Sequence, residues 1–429
     1  MKEINLTTNQ RELLNKGLDI LHKNNRLLII GKAGTGKTTL INFLLKELKN
    51  RENKKGYKKS ICSAPTNKAV RVLKEKIDSD IPENYFQTTH SALKLKRIID
   101  NKNGTVDFIP DIYGSPPLKW VSILIIDEAS MLNSKLLEYI EEFSKNIKII
   151  FIGDEAQLPP VGEEISPVFT NNYPVLELKE IIRQEEGNPI IDLSRDLSLI
   201  KTRIDRRTSI GGYIFSNDTN KVIETLANVN GTDDLKYLAW TNREVDYINN
   251  QVRKRIYGNP SKIELGESLV FNTPYDDFFT NEEIVVSSLN IIERDFLIYS
   301  YPNLKYNAEN LDEPETIERK ETIKLYQVNS SIFIVHEDSE KLFKDILKDL
   351  SSRAKNKEVN WEEYYKFVEN FADIKYNHAL TVHKSQGSTY GQVIINIKDL
   401  FLNTDLKERE KLLYTAITRA KELVILYKT

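Results

Sequence analysis

The chain has 429 residues, with 61 Lys and Arg against 63 Asp and Glu and a formal net charge of −2. That length exceeds one ordinary core and predicts two to four domains, while the charge balance excludes a globally basic polyanion binder and leaves a local groove as the route to one. The lone cysteine, Cys62, excludes an internal disulfide and a thiolate zinc site, no apolar run reaches the ~18 residues of a membrane span, and the opening Met1-Lys2-Glu3-Ile4-Asn5 has no signal-peptide core, so a reducing, cytosolic setting is expected.

In chain order, the apolar run 27–30 reads as a buried strand, and Thr39-Leu40-Ile41-Asn42-Phe43-Leu44-Leu45-Lys46 reads as a helix. Between them lies Gly31-Lys32-Ala33-Gly34-Thr35-Gly36-Lys37-Thr38, which fits the phosphate-loop pattern at every fixed position and in the strand–loop–helix setting that pattern requires. Gly31, Gly34 and Gly36 let the backbone approach phosphate, and the helix N-terminus with Thr35 and Thr39 presents N–H groups to the anion. Lys37 is placed to reach the β- and γ-phosphates of ATP, and the Thr38 hydroxyl to hold Mg²⁺. Further strands are expected at 60–64, 123–126 and 149–152. Their alternation with helical patterns predicts an α/β fold with a parallel sheet covered on both faces.

An interruption at 94–119 holds Asn101-Lys102-Asn103-Gly104, a hairpin turn signal, and reads as a β-hairpin insert. The strand 123–126 ends in Asp127-Glu128. Two acids there either cap the strand or, beside a phosphate loop, divide the work: Asp127 on Mg²⁺, Glu128 on the attacking water. Gln157 follows the strand 149–152 in a turn closed by Pro159-Pro160. It is either a polar turn residue or a group that touches the γ-phosphate or the water.

A second α/β pattern begins near residue 171, with a strand at 237–240 and a helix at 242–257. It resumes with strands at 376–382, 392–397 and 423–427. The stretch 259–374 differs. It contains β-rich pieces at 268–272, 283–287, 323–327 and 332–335, then a charged helical stretch at 340–371, and reads as an inserted domain, partly a small β-barrel. Trp240 follows an apolar strand and reads as core before it reads as a stacking platform. His378 and His383 have no cysteine nearby to complete a metal set.

Asp127-Glu128-Ala129-Ser130 together with Gly153-Asp154-x-x-Gln157-Leu158-Pro159 resembles motifs II and III of superfamily-one helicases. The other motifs fall in order. Leu6-Thr7-x-Asn9-Gln10 resembles the Q motif, in which Gln10 would read adenine. Ala64-Pro65-Thr66-Asn67-Lys68-Ala69 resembles motif Ia, and Thr88-Thr89-His90-Ser91-Ala92-Leu93 the next nucleic-acid motif. Arg183-Gln184 sits where the family has its motif IV arginine, and Ala239-Trp240-Thr241-Asn242 is similar to the motif that opens the later half. Thr381-Val382-His383-Lys384-Ser385-Gln386-Gly387-Ser388-Thr389 resembles motif V, and Tyr414-Thr415-Ala416-Ile417-Thr418-Arg419-Ala420 motif VI. The RecD/Dda-like, 5′-to-3′ branch is the nearest in pattern.

The resemblance implies two RecA-like P-loop motor domains, 1–170 and 171–258 with 375–429. The 94–119 hairpin would be a pin inserted in the first and 259–374 an SH3-like insert in the second. ATP and Mg²⁺ would lie in the cleft, with Lys37, Glu128, Gln157, Arg183 and Arg419 catalytic and Gly387 among the nucleotide contacts. Pro65, Thr66, Asn67, His90, Thr241, Asn242, His383 and Ser385 would carry single-stranded DNA, and Phe108 or Ile109 on the pin would meet the duplex junction. The 340–371 stretch would brace the pin or pack on its own domain. The implied activity is an ATP-dependent DNA helicase of phage or bacterial replication, recombination or repair. It would work in the cytoplasm of a bacterial or phage-infected cell, beside a single-strand-binding protein or replisome component. An RNA-directed helicase, a translocase that does not unwind, a phosphate-loop kinase or switch, and a binding module with a degenerate ATP site stay open as alternatives.

Overall fold

The computed structural model describes residues 8–52, 59–77, 82, 85–100, 105–111, 117–179, 187–229, 235–302 and 316–428. Leu6, Thr7, the hairpin turn 101–104, Arg183 and Gln184 lie outside them. Two compact units form: Met1–Leu95, Pro110–Val252 and His378–Thr429 make the first, and Lys96–Ile109 with Arg253–Asn377 the second.

The strands, in chain order, begin with β1 (Arg26–Gly31), β2 (Lys59–Ala64), β3 (Phe86–Thr88), the hairpin pair β4 (Leu95–Ile99) and β5 (Val106–Pro110), β6 (Val121–Ile126), β7 (Lys148–Gly153) and β8 (Val175–Leu178). Six of them build a parallel sheet in the order β3-β2-β6-β7-β1-β8. Alternation along the strands splits the core in two, since successive side chains point to opposite faces. Leu27, Ile29, Ile123, Ile125, Ile150 and Ile152 pack with Leu40, Ile41 and Leu44 of the helix Lys37–Glu52 on one face. Leu28, Leu124, Ile126, Ile149 and Phe151 pack with Leu136 and Ile140 of the helix Ser134–Phe143 on the other. Burial on both faces is why these strands read as unbroken apolar runs.

The second sheet of this unit begins with β9 (Arg206–Thr208), β10 (Gly211–Ser216) and β11 (Leu235–Ala239). The second unit supplies β12 (Ser268–Phe271), β13 (Glu283–Val285), β14 (Leu289–Pro302), β15 (Thr316–Val328), β16 (Ile332–Val335) and β17 (Ile374–Tyr376). The first unit resumes with β18 (Ala379–Thr381), β19 (Tyr390–Asn396) and β20 (Ala420–Tyr427). The order is β18-β11-β19-β20-β10-β9, parallel except for β9, which runs antiparallel to β10. With the first sheet, this gives the two-sheet RecA-like α/β architecture.

The single strand expected at 376–382 is two strands in different sheets. Asn377 Nδ2 donates to Ser268 Oγ and Glu283 Oε2, and Asn249 Oδ1 accepts the N–H groups of His378 and Ala379. Side-chain amides thus satisfy backbone and neighbours where one ladder stops and the next begins. The helical stretch at 340–371 is also two elements, Glu340–Lys355 and Trp361–Val368, parted near Lys357, whose φ is 61°.

In the second unit β13-β12-β17 and β14-β15-β16 are antiparallel three-stranded sheets. Leu269 and Phe271 from one pack with Tyr326, Val328 and Ile334 from the other. The far end of β14 and β15 packs Phe296, Ile298 and Ile323 against Ile346, Leu350 and Phe367 of the two helices and Phe371 just beyond them. The Arg253 guanidinium is buried with Glu267, lies 3.9 Å over the Tyr376 ring and donates through Nη2 to the carbonyls of Ser261 and Lys262. Burial outweighs this pairing and holds the Glu267 carboxyl above its usual range. Arg253→Met leaves that carboxylate buried without its cation, with only the Glu264 N–H still donating to it, and is expected to lower stability by about 3–5 kcal/mol. Urea denaturation checks it, and a loss within ~0.5 kcal/mol would mean the pair is dispensable.

Candidate active site

The phosphate loop leaves the C-terminal end of β1. A Cβ on Gly31 would come within 2.6 Å of Thr35 Oγ1 and 2.9 Å of the Leu178 carbonyl, so only glycine fits there, and Gly34 and Gly36 take φ of 78° and 76°. Thr35 Oγ1 donates to the Lys32 carbonyl at 2.8 Å and pins the loop. Lys37 opens the following helix, with Thr38 and Thr39 behind it, and its Nζ donates to the carbonyls of Gly31 and Lys32. A cleft of about 330 Å³ beside the loop is lined by Lys32, Thr35, Asp154, Glu155, Lys179 and Arg195, among others.

Asp127 and Glu128 leave β6, two strands from β1 in the sheet. Glu128 takes a left-handed backbone, φ 52° and ψ 43°, and its N–H donates to Asp127 Oδ1 at 2.9 Å. A non-glycine residue held there is strained, and such strain clusters at functional sites. Burial raises both carboxyls. For Glu128 the Asp127 charge adds to it, while Arg419 and Lys37 pull the other way. Two raised neighbouring carboxyls suit a cation or a proton-accepting role. Among the described residues no three His, Cys, Asp or Glu gather as a metal cage. The chemistry on hand, one carboxylate at Asp127 and one hydroxyl at Thr38, suits an ion that draws its other ligands from phosphate and water.

The loop after β7 carries Asp154 and Gln157, both buried. The second sheet's elements hold it at three points. Tyr414 Oη donates to Asp154 Oδ2 at 2.5 Å, Thr415 Oγ1 accepts the Leu158 N–H at 3.3 Å, and Gln386 Nε2 donates to the Leu158 carbonyl at 3.0 Å. Tyr414 Oη also accepts the Ala33 N–H of the phosphate loop at 2.9 Å. Arg419 is 4% exposed, and it donates to the Thr415 and Ser388 carbonyls and to Thr418 Oγ1. Gln157 Oε1 and Ser130 Oγ are buried with no partner among the described residues. Lys37, Asp127, Glu128, Asp154 and Arg419 therefore share one electrostatic environment.

Gly387 has a different surrounding from the nucleotide contact expected of it. With φ 71°, it lies where a Cβ would be 2.9 Å from Ala69 Cβ and 3.3 Å from Thr66 Oγ1. Close packing on the motif Ia helix is thus its evident need. Lys68 Nζ, from that same helix, sits 5.0 Å over the Tyr390 ring.

The residues expected on nucleic acid divide. Pro65, Thr66 and Asn67 are half-buried at the start of the helix Asn67–Lys76, where Thr66 Oγ1 accepts the Ala69 N–H. His90 and His383 are half-buried and desolvation lowers both, so each imidazole is neutral at pH 7 and offers hydrogen bonds rather than charge. Asn242 is exposed at the first turn of its helix. Thr241 is committed elsewhere: its hydroxyl donates to buried Asp399 at 2.7 Å and accepts the Glu244 N–H. Ser385 is fully buried, its hydroxyl on the Val382 carbonyl at 2.7 Å, so it offers no side chain to a strand. Trp240 is half-buried against the second sheet's core, as its apolar context predicts. Gln10 is 8% exposed in the helix Thr8–Asn24. On the hairpin, Phe108 is exposed and Ile109 half-buried. Arg97 of β4 pairs with Glu369 and lies 5.0 Å over the Tyr365 ring. Tyr414 and Asp154 carry no signal in the sequence beyond their places inside motifs.

Residues 15–163 match the model of an AAA domain, and residues 376–427 that of a UvrD-like helicase C-terminal domain. The ATP-dependent DNA helicase Dda of Enterobacteria phage T4 is 27% identical, over 97% of this chain and 98% of its own. An uncharacterized protein, R530, of Acanthamoeba polyphaga mimivirus is also 27% identical, over 97% and 98%. The RecBCD enzyme subunit RecD of Buchnera aphidicola (Schizaphis graminum) is 27% identical, over 95% of this chain and 71% of its own. Among the described residues, no helix is long and apolar enough to cross a membrane.

Proposed function

We infer the activity from one premise: the chain is a superfamily-one helicase homologue that belongs with Dda and RecD. It is an ATP-hydrolysing DNA helicase that moves 5′-to-3′ on single-stranded DNA and separates duplex at a junction. The observation that carries this reading is the meeting of Lys37, Glu128 and Arg419 across two sheets, where Tyr414, Thr415 and Gln386 bond to the phosphate loop and to the loop that carries Asp154 and Gln157. A site assembled from both sheets links hydrolysis to their relative motion.

In this reading Lys37 and the loop N–H groups hold the β- and γ-phosphates. Asp127 and Thr38 hold Mg²⁺, which neutralises charge on the phosphates. Glu128 takes the proton of the attacking water, and Gln157 orients that water. Arg419, with Arg183, stabilises charge on the transferring phosphoryl group. Pro65, Thr66, Asn67, His90, Asn242 and His383 position the strand without reading its sequence.

The pin role rests on the hairpin's exposed Phe108 and on its tie to Glu369 and Tyr365. That ion pair is solvent-exposed, so it and the cation–π contact together are worth about 1 kcal/mol. Arg97→Ala is accordingly expected to slow strand separation about fivefold while leaving DNA-stimulated hydrolysis within about twofold. Equal losses in both assays would remove the hairpin from the unwinding step.

The test of the function itself is ATP hydrolysis alone, with single-stranded DNA, and with RNA of the same sequence. Strong stimulation by DNA is expected. Preference for RNA would redirect the assignment to RNA, and no stimulation by either would favour a kinase or switch.

A further inference from the structure

The Tyr414 hydroxyl has two partners in elements far from it in sequence: the Ala33 N–H, 381 positions away, and Asp154 Oδ2, 260 positions away. Tyr414 is 4% exposed and Asp154 2% exposed, so water competes little for either bond. Asp154 Oδ1 accepts the Ala156 N–H, so the same carboxylate shapes the loop that ends in Gln157. Tyr414 lies in the helix Leu406–Ile417, whose next turn delivers Arg419.

We propose, resting on the helicase reading above, that Tyr414 is a positioning residue that couples the phosphate loop to Arg419. Its hydroxyl reports the fit between the two sheets to both the loop and the Gln157 turn. A phenol can do this because it accepts from one partner while it donates to the other. Burial and the Asp154 charge push its ionisation well above the usual range, so the donor persists at every working pH. When the sheets come together, one oxygen aligns an N–H of the phosphate loop, the carboxylate that shapes the water-orienting turn, and the helix that ends at the arginine. The reaction then depends on an atom that touches no reacting group.

The experiment measures steady-state hydrolysis, with and without saturating single-stranded DNA, for wild type, Tyr414→Phe, Asp154→Asn and the double variant. Phenylalanine keeps the ring and its packing and removes only the oxygen. The expected result is a fall in DNA-stimulated kcat of about tenfold, the weight of one charge-assisted hydrogen bond, with KM for ATP within about twofold. The double variant is expected to be no slower than Tyr414→Phe alone, because phenylalanine already removes the bond that Asp154→Asn weakens by taking away the charge.

Unchanged kcat in Tyr414→Phe, or losses that multiply in the double variant, would overturn the proposal while the helicase reading stands. A fall in kcat matched by a rise in KM and a lower melting temperature would overturn it too, since that marks packing alone. A wild type that DNA does not stimulate would overturn the helicase reading and the proposal together.

Discussion

Arg419→Ala is expected to lower DNA-stimulated kcat by about 10³-fold or more, with a far smaller change in ATP affinity. The guanidinium is almost fully buried and already fixed by two carbonyls and a hydroxyl, so little reorganisation remains when charge develops on the phosphoryl group. Low dielectric makes that charge count for more than it would in water. Lysine is not expected to rescue it, because a point charge cannot span the same fork of acceptors. Arg419 also satisfies backbone carbonyls, so its variant should be read beside a melting curve. Intact melting with a loss below tenfold would remove Arg419 from the chemistry.

Glu128→Gln should keep ATP binding and lose turnover by about 10²–10⁴-fold, the usual weight of a positioned general base. Glutamine preserves the shape and the left-handed backbone at φ 52°, so the change isolates the proton acceptor. It also removes a buried carboxylate whose charge burial and the neighbouring Asp127 both oppose, so affinity for the nucleotide should hold or tighten. Stopped-flow binding and single-turnover hydrolysis separate the two effects. Equal losses in binding and turnover would place Glu128 in nucleotide holding rather than proton transfer.

Much of the architecture is legible in the chain because the first sheet is buried on both faces. Strands at 27–30, 123–126 and 149–152 announce themselves as apolar runs, and each emerges two residues longer. The glycine spacing of the phosphate loop and the carboxylates at a strand end are equally visible, since both are local. What sequence hides is long-range or charge-interrupted. The strand β14, fourteen residues long, contains Glu293-Arg294-Asp295, yet pairing with Lys324, Ile323 and Thr322 on β15 accommodates all three. Thr241 and Ser385 carry hydroxyls in nucleic-acid motifs, but only the fold reveals that Asp399 and the Val382 carbonyl have taken them. Gly387 is expected as a nucleotide contact, and its close packing against Ala69 supplies another reason for it. The bond from the Ala33 N–H to Tyr414 has no local signature, because one residue lies in the phosphate loop and the other 381 positions on, in the helix Leu406–Ile417.

The most direct test of the account is ATP-driven strand displacement on duplexes with either a 5′ or a 3′ single-stranded DNA tail. Displacement is expected from the 5′-tailed substrate, dependent on ATP and Mg²⁺ and absent in Glu128→Gln. Displacement only from the 3′-tailed substrate would contradict the direction, and stimulated hydrolysis without displacement from either would contradict unwinding itself.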